Sequence, residues 1–154
     1  MSETRFIGEF ACTIDLKSRV MLPAALQKQI PAKAKNRFVI NRGFEKCLVL
    51  YPRNEWDIIS AEVNKLNLYI KDNRDFARYF FRGATELEAD NSKRILMPKS
   101  LCEYAGITKD IVLFGYANRI EVWSEKLYKK QMDEEPRDFV KLAEQVMGKL
   151  TDGK

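Results

Sequence analysis

The chain has 154 residues, 45% of them hydrophobic, which is enough for one compact domain or two small interlocked units. Lys and Arg outnumber Asp and Glu by 27 to 22, and the formal net charge of +5 is a moderate bias toward anionic partners such as nucleic acid. The absence of histidine excludes the usual general base at neutral pH, imidazole metal ligands and every Ser-His or Cys-His nucleophile pair.

The cysteines and the hydropathy indicate in which cellular compartment the protein acts. Cys12, Cys47 and Cys102 are odd in number, far apart and set among apolar neighbours, which predicts reduced thiols in the core rather than disulfides or a zinc cluster. No apolar run approaches the roughly 20 residues of a membrane helix, and no signal-peptide stretch follows Met1. We therefore expect a cytoplasmic protein without membrane contact, metal or cofactor.

One short pattern occurs twice: Asp-x-x-x-Arg-h-x-h-Pro-x-x-Leu, in which h is an apolar residue. The first copy begins at Asp15 and the second at Asp90, an offset of 75 residues that also relates Phe6 to Phe81. Related units bury their apolar faces most readily against each other, so two copies in one chain predict a pseudo-two-fold arrangement. The two Asp-x-x-x-Arg segments are then expected to lie together.

Each copy is predicted to start with two strands joined by a tight turn. The strands are residues 9–14 and 19–22 around a turn at 15–18, and residues 84–89 and 94–97 around a turn at 90–93. Pro23 and Pro98 follow, and each suits the first position of a short helix because proline has no amide hydrogen to lose there. Gly106 stands where the second short helix requires a left-handed cap.

A hairpin follows each short helix. Its strands are predicted at 38–40 and 47–51, around the turn Asn41-Arg42-Gly43-Phe44, and at 111–114 and 119–123, where residues 119–123 align with 47–51. Both units therefore have the order strand, strand, short helix, strand, strand, which predicts the α+β fold class, mainly β.

Outer helices are predicted after each unit, because apolar residues recur there at helical spacing. The residues are Trp56, Ile59, Val63, Leu66 and Ile70, then Phe139, Leu142, Ala143 and Val146.

The repeat divides the chain into four regions. They are a first unit at 1–53, a helical linker at 54–80, a second unit at 81–124 and C-terminal helices at 125–154. The polar stretch 132–137 is predicted to join the second unit to the last helix, and residues 137–150 are predicted to form an ordered amphipathic helix.

A duplicated motif of this kind, in a chain of this length, resembles the MraZ family of bacterial transcription regulators. The resemblance covers nearly the whole chain; it includes Phe76-Ala77-Arg78-Tyr79-Phe80-Phe81 entering the second unit, Glu103-Tyr104-Ala105-Gly106-Ile107, and Ile120-Glu121-Val122-Trp123-Ser124. It implies an AbrB-like (SpoVT-AbrB) fold, a duplicated swapped-hairpin β-barrel with flanking helices, and assembly into a ring-shaped homo-oligomer. It further implies binding of a nucleoid-associated repressor to direct repeats of double-stranded DNA upstream of the division and cell-wall gene cluster, with control of its own gene.

The chain departs from the family where each motif has a glycine, because Ser18 stands there in the first copy and Lys93 in the second. If that position has a positive φ, a serine or lysine costs about 1 kcal/mol, or the turn takes another shape. Both motif arginines are retained. The predicted DNA contacts are Lys17, Ser18, Arg19, Lys93 and Arg94, with arginine on guanine edges or phosphate and lysine on the backbone.

Three alternatives stay open. In the first, Arg19 and Arg94 pair with Asp15 and Asp90 and only hold solvated turns. In the second, the scaffold binds a protein partner, as antitoxins of this superfamily hold toxins, without a specific DNA target. In the third, the chain is an enzyme built on a related double-psi barrel, but the absence of histidine and of any phosphate loop counts against it. The two aspartates could also form an acid dyad, but their segments lack the Asp-Thr/Ser-Gly character of that chemistry. We therefore expect no enzyme activity, no catalytic residue and no small-molecule substrate.

A basic group and an aromatic group of residues give less specific predictions. A basic group near the first hairpin is predicted to be a charged outer face; it comprises Arg37, Arg42, Lys46 and Arg53. Four aromatic residues occupy corresponding positions in the two units, which predicts core packing or subunit contact rather than base stacking; they are Tyr51, Trp56, Trp123 and Tyr128.

Overall fold

The computed structural model describes residues 4–133 and 139–151. The first unit contains β1 (Phe6–Thr13), β2 (Arg19–Met21), α1 (Ala24–Gln27), β3 (Arg37–Arg42) and β4 (Leu48–Pro52). Two helices follow it, α2 (Arg53–Asn64) and α3 (Lys71–Phe81). A short 3-10 helix at Ala32–Ala34 precedes β3.

The second unit repeats this order. It contains β5 (Thr85–Glu88), β6 (Arg94–Leu96), α4 (Lys99–Ala105), β7 (Asp110–Ala117) and β8 (Arg119–Ser124), and then α5 (Glu125–Asp133) and α6 (Phe139–Thr151). The predicted succession of strand, strand, short helix, strand, strand is therefore confirmed in both copies. The α+β class is confirmed with it.

The two units exchange their first strands. β1 pairs antiparallel with β7 of the second unit, and β5 pairs antiparallel with β3 of the first. The result is one six-stranded sheet in the order β1-β7-β8-β4-β3-β5. Because β1 and β5 are the edges of this sheet, the barrel that the resemblance implies is not closed by strand pairing.

A pseudo-two-fold axis relates the units, as predicted. β4 and β8 pair at the centre of the sheet, where Val49 lies opposite Glu121, its equivalent in the other copy. β2 and β6 form a separate two-stranded sheet in which Val20 lies opposite Ile95, its equivalent in the other copy. Equivalent residues that face each other are the mark of a two-fold relation, so the axis passes through both strand pairs.

Both units contribute to one hydrophobic core. Its fully buried side chains include Leu26, Phe38, Leu101, Ile111 and Ile120. β4 is buried at all five positions because other elements cover both faces of the sheet, with α2 packed against β3 and β4. Burying each large apolar side chain stabilises the fold by about 1.5–3 kcal/mol.

The prolines that precede the short helices stand one position earlier than predicted. Pro23 and Pro98 have extended ψ values of 143° and 132°, and their carbonyls accept hydrogen bonds from Gln27 at 2.9 Å and Cys102 at 3.1 Å. They are therefore N-cap residues, whose backbone is extended while the carbonyl already belongs to the helix. The left-handed cap predicted at Gly106 is confirmed by its φ of 68°.

The first hairpin turn is displaced from its predicted position. β3 continues through Asn41 and Arg42, which pair with Val49 and Leu48, so the loop begins at Gly43. The prediction of a turn at 41–44 was wrong because strand pairing, rather than the polar character of these residues, sets where the hairpin reverses.

The helix predicted through Ile70 ends earlier. Leu66 and Ile70 lie in the connection between α2 and α3. Asn67 accounts for the break, since its side-chain oxygen accepts the Tyr69 amide at 3.0 Å and its carbonyl accepts the Ile70 amide at 3.2 Å. Local bonds of this kind compete with helical ones. The aromatic-rich segment that precedes the second unit forms the last turns of α3.

The C-terminal helix begins at Phe139, and the predicted ordered helix is confirmed from that residue onward. Residues 132 and 133 of the predicted joint belong to α5, and the rest of 132–137 lies outside the described residues. Several apolar side chains of α6 are more than half exposed; they are Phe139, Val140, Val146 and Met147. Within the described ranges, no helix has the length and apolar character of a membrane span.

The three cysteines behave as predicted. All are free thiols, with Cys47 and Cys102 buried and Cys12 half-buried. Burial raises the pKa of each thiol, because the interior disfavours the thiolate. They are therefore unreactive core residues.

Candidate nucleic-acid interface

The turn after β1 is organised by one carboxylate. Asp15 Oδ1 accepts the backbone amides of Lys17 at 2.9 Å and Arg19 at 2.8 Å, while its carbonyl accepts the Ser18 amide at 3.0 Å. The Arg19 side chain donates its Nε–H to Asp15 Oδ2 at 3.0 Å. One aspartate therefore fixes both the backbone of the turn and the arginine that follows it.

The turn after β5 has the same construction. Asp90 Oδ1 accepts the amides of Ser92 and Arg94, both at 2.9 Å, and its carbonyl accepts the Lys93 amide at 2.9 Å. Arg94 donates its Nε–H to Asp90 Oδ2 at 2.9 Å. The two copies thus build one local structure from turn segments, 15–19 and 90–94, that share only the aspartate and the arginine.

The motif glycine position has a positive φ in both copies. Ser18 has a φ of 64° and Lys93 a φ of 62°, in the left-handed region that favours glycine. The turn therefore keeps its shape and accepts a strain of about 1 kcal/mol at each position. The replacement alters the side chains beside the arginines but leaves the backbone that carries them unchanged.

Strand pairing links the two turns through one small sheet, because the antiparallel β2–β6 ladder has one turn at each end. Beyond the β2–β6 ladder, the Leu22 amide donates to the Lys93 carbonyl at 3.0 Å and the Met97 amide donates to the Ser18 carbonyl at 2.7 Å. Each turn is therefore tied to the strand of the opposite copy. The paired turns, residues 15–19 and 90–94, lie on either side of the pseudo-two-fold axis.

The sequence model of the family described as "MraZ protein, putative antitoxin-like" matches this chain twice, at residues 5–79 and 80–149. The chain belongs to the MraZ family. The two matches correspond to the two copies of the repeat, and they confirm both the resemblance and the duplicated AbrB-like fold class.

Relatives that carry the name Transcriptional regulator MraZ match most of the chain. The one from Flavobacterium psychrophilum is 44% identical over 147 residues, which cover 95% of this chain and 94% of the relative. The one from Christiangramia forsetii is 42% identical over 143 residues, 92% of each chain. The one from Clostridium beijerinckii is 42% identical over 141 residues, 92% of this chain and 96% of the relative.

The arginines of this MraZ chain are both anchored and accessible. Their side chains are 29% exposed for Arg19 and 32% for Arg94. Each uses Nε–H for its own aspartate, and in the described residues the terminal guanidinium nitrogens have no hydrogen-bond partner. The pairing that was expected to hold the turn is therefore present, and it leaves N–H donors for an acceptor outside the chain.

The two aspartates have the electrostatics of turn anchors. Backbone hydrogen bonds from Arg19 and Arg94 are the largest cause that lowers the pKa of Asp15 and Asp90, and the guanidinium groups lower it further. Two carboxyls that share a proton would have one raised pKa. Both pKa values are lowered, so each carboxylate is ionised and serves its own turn.

The two lysines of the predicted site differ. Lys17 is exposed, whereas Lys93 is half-buried and donates from Nζ to Asn36 Oδ1 at 3.3 Å. Asn36 and its neighbour Lys35 have positive φ values of 59° and 54° and lie beside the second turn. The sequence analysis missed both, because only strand exchange brings them there: the Ala89 amide donates to the Asn36 carbonyl at 2.9 Å.

The basic group near the first hairpin does not form one face. Arg37 and Arg53 both bind Glu86, a residue of β5. Arg42 and Lys46 instead lie over the ring of Tyr104. The prediction of a common charged outer face was wrong because hairpin geometry sends the two pairs to different neighbours.

The corresponding aromatic residues are confirmed as core packing. Tyr51 and Trp56 have ring centroids 5.6 Å apart, and their equivalents Trp123 and Tyr128 have centroids 5.9 Å apart. Three of the four are buried, and Trp56 is half-buried. These rings are therefore not exposed for base stacking.

Proposed function

We propose that the protein is a sequence-specific DNA-binding transcriptional regulator that acts in the cytoplasm, at the nucleoid. Its targets are direct repeats upstream of the division and cell-wall gene cluster, where it represses that cluster and its own gene. Lys17, Ser18, Arg19, Lys93 and Arg94 form the contact surface. Membership of the MraZ family and the names of the relatives support this proposal.

The pairing of β2 with β6 is the observation that carries the proposal. It places two turns of the same geometry at the two ends of one short ladder, each with an arginine that an aspartate orients and that keeps N–H donors free of intramolecular bonds. Oriented guanidinium groups suit guanine edges and phosphate oxygens, since both accept two parallel N–H bonds. Two-fold related turns also suit the two strands of a duplex.

We also propose assembly into a ring-shaped homo-oligomer. A single pair of turns offers few phosphate contacts, and a site of that size binds weakly at physiological salt. Several copies on repeated boxes gain affinity by avidity. The exposed apolar side chains of α6 supply surface for contact between copies.

Fluorescence anisotropy with a labelled duplex of the upstream region tests the proposal. The wild-type protein is compared with the Arg19→Ala, Arg94→Ala double variant at two salt concentrations, beside scrambled DNA. If each arginine contacts a base pair, each substitution costs about 1–3 kcal/mol and narrows the preference over scrambled DNA. If each contacts phosphate, the double variant loses affinity for both duplexes and its salt slope falls by about 2.

A matched control removes the same charge elsewhere. Lys65→Ala combined with Arg78→Ala deletes two cations on α2's C-terminal flank and on α3, where both side chains are at least 70% exposed. This control should bind the duplex like the wild type. Equal affinity of the wild type for both duplexes, unchanged in the Arg19 and Arg94 variant, would contradict the proposal.

A second candidate is a partner-binding module without a specific DNA target. The exposed apolar side chains of α6 favour it, since such surface marks contacts with other proteins. The same anisotropy experiment separates the candidates, because a partner-binding module shows no preference for the upstream duplex.

A further inference from the structure

A cavity of about 550 Å³ lies beside α3, over the centre of the six-stranded sheet. Its volume falls within the roughly 300–1,000 Å³ that is typical of small-ligand pockets. Aromatic side chains supply much of its lining; they include Phe44, Phe76, Tyr79, Phe80, Tyr104 and Tyr116. The cavity shares no lining residue with the paired turns.

Two guanidinium groups line the same cavity. Arg42 lies with Cζ 4.3 Å from the centroid of Tyr104, and Arg119 lies 5.3 Å from the centroid of Tyr51. Neither forms a salt bridge among the described residues, in contrast to the arginines of the turns. A guanidinium held on a ring face is oriented by the ring while its N–H donors stay available to an anion.

Two carboxylates, Glu45 and Glu121, also line the cavity, and Glu121 already accepts two hydrogen bonds. Glu121 accepts the Tyr116 hydroxyl at 3.0 Å and the Trp123 indole N–H at 2.8 Å. Burial and the adjacent Glu121 raise the pKa of Tyr116 to about 12, so the phenol remains a donor at neutral pH. Glu121 therefore orders one wall instead of neutralising Arg119.

The pseudo-symmetry does not repeat this cavity, although both units line it: Tyr51 belongs to the first unit and Arg119 to the second. Arg119 and Tyr51 have Cys47 and Trp123 as their equivalents in the repeat. Those equivalents are buried in a cluster with Val112 and with Tyr128 of α5. The pseudo-symmetry thus places a packed core where the other half of the sheet has an open, cation-lined cavity.

We propose that this cavity binds a small ligand in which a planar ring carries an anionic group, such as a mononucleotide. The planar ring stacks against the aromatic lining, and the anionic group binds Arg42 and Arg119. Phe44 and Tyr79, 85% and 73% exposed, stand at the mouth and cover the bound ring. This inference stands independently of the proposed DNA function.

Isothermal titration calorimetry without DNA tests the inference, with the four ribonucleoside monophosphates as probes. Uncharged nucleosides and inorganic phosphate supply the ring and the anion separately, and each should bind more weakly than the intact nucleotide. Arg119→Leu should weaken nucleotide binding about tenfold, the loss of one charge-assisted contact. Tyr79→Ala removes an exposed wall residue and should weaken binding while the fold is unaffected.

Two controls locate the binding. Arg78→Leu changes the exposed neighbour of Tyr79 on α3, outside the cavity lining, and should leave the affinity unchanged. The Arg19→Ala, Arg94→Ala variant should also bind nucleotide normally. Circular dichroism and thermal unfolding of every variant distinguish a lost contact from a lost fold.

Three outcomes overturn the inference. One is the absence of saturable binding of any mononucleotide at millimolar concentration. Another is binding that only the Arg19 and Arg94 variant loses, which assigns the nucleotide to the turns. The third is a smaller oligomer in Arg119→Leu and Tyr79→Ala without nucleotide binding to the wild type, which assigns the cavity to contact between copies.

Discussion

The two copies of the repeat are alike at their turns and unlike on the outer face of the sheet. Each turn has an aspartate that accepts two backbone amides and an arginine Nε–H. On the outer face, Tyr128 of α5 packs against Trp123 and closes that side of the sheet, whereas the equivalent Tyr51 lines an open cavity. The two copies therefore have the same turn structure, but only one side of the sheet has an open surface for further contacts.

The last helix of each half shows the same difference. In α3, Phe80 stacks on Trp56 with ring centroids 5.6 Å apart and accepts a hydrogen bond from the Asn41 side chain through its carbonyl. In α6, the apolar residues Phe139 and Val146 are 65% and 57% exposed. In α3 Phe80 therefore packs within the chain, whereas in α6 Phe139 and Val146 face solvent or another molecule.

The largest effect that we predict tests this difference between α3 and α6 by comparing the stability cost of one phenylalanine substitution in each helix. Phe80→Ala should lower the free energy of unfolding by about 2–3 kcal/mol, because Phe80 is half-buried and stacks on Trp56 and Phe76. Phe139→Ala should change it by less than about 0.5 kcal/mol, as at an exposed position. Urea unfolding followed by circular dichroism measures both.

The comparison fails if the two substitutions cost the same. A large loss for Phe139→Ala that depends on protein concentration would show that α6 is buried between copies, since assembly then contributes to the measured stability. Sedimentation of the same variant separates the two cases.

Most of the fold follows from the repeat, but strand exchange does not. The pattern that begins at Asp15 and Asp90 predicted the order of elements, the paired turns and the pseudo-two-fold axis. It did not predict that β1 pairs with β7, because a local pattern specifies which face of a strand is buried and not which strand lies beside it. The break at Asn67 was missed because one asparagine turn overrode a helical period.

The candidate site was predicted in part. The motif supplied the arginines and lysines. Because Ser18 and Lys93 replace glycine, the sequence left open whether φ is positive at these positions, and the structure has positive φ at both. The sequence did not predict that Asn36 lies beside the second turn or that Arg42 and Arg119 line a cavity, since contacts across units depend on the register of the exchanged strands. The DNA contacts and the four-region division of the chain stay predictions.

The second effect sharpens the comparison of the turns. Ser18→Gly should raise the free energy of unfolding by about 0.5–1 kcal/mol, because glycine accepts a φ of 64° without strain. Lys93→Gly should gain less, since it also removes the hydrogen bond to Asn36. Thermal or urea unfolding of each variant measures the difference, and a loss of stability in Ser18→Gly would contradict the strain argument.

The smallest effect concerns the carboxylates of the turns and their dependence on pH. A carboxyl with a lowered pKa in the folded chain adds stability above its ordinary pKa, here 3.8, and that contribution is lost as the pH falls through the lowered value. Asp15→Asn and Asp90→Asn should therefore each reduce stability at neutral pH and flatten its fall in acid. Because the two turns have the same geometry, the two variants should have equal effects, and the double variant should show their sum.

Urea midpoints measured at neutral pH and at a pH below the ordinary aspartate pKa test this prediction. Unequal effects of the two variants would mean that one turn is held by contacts that the other lacks.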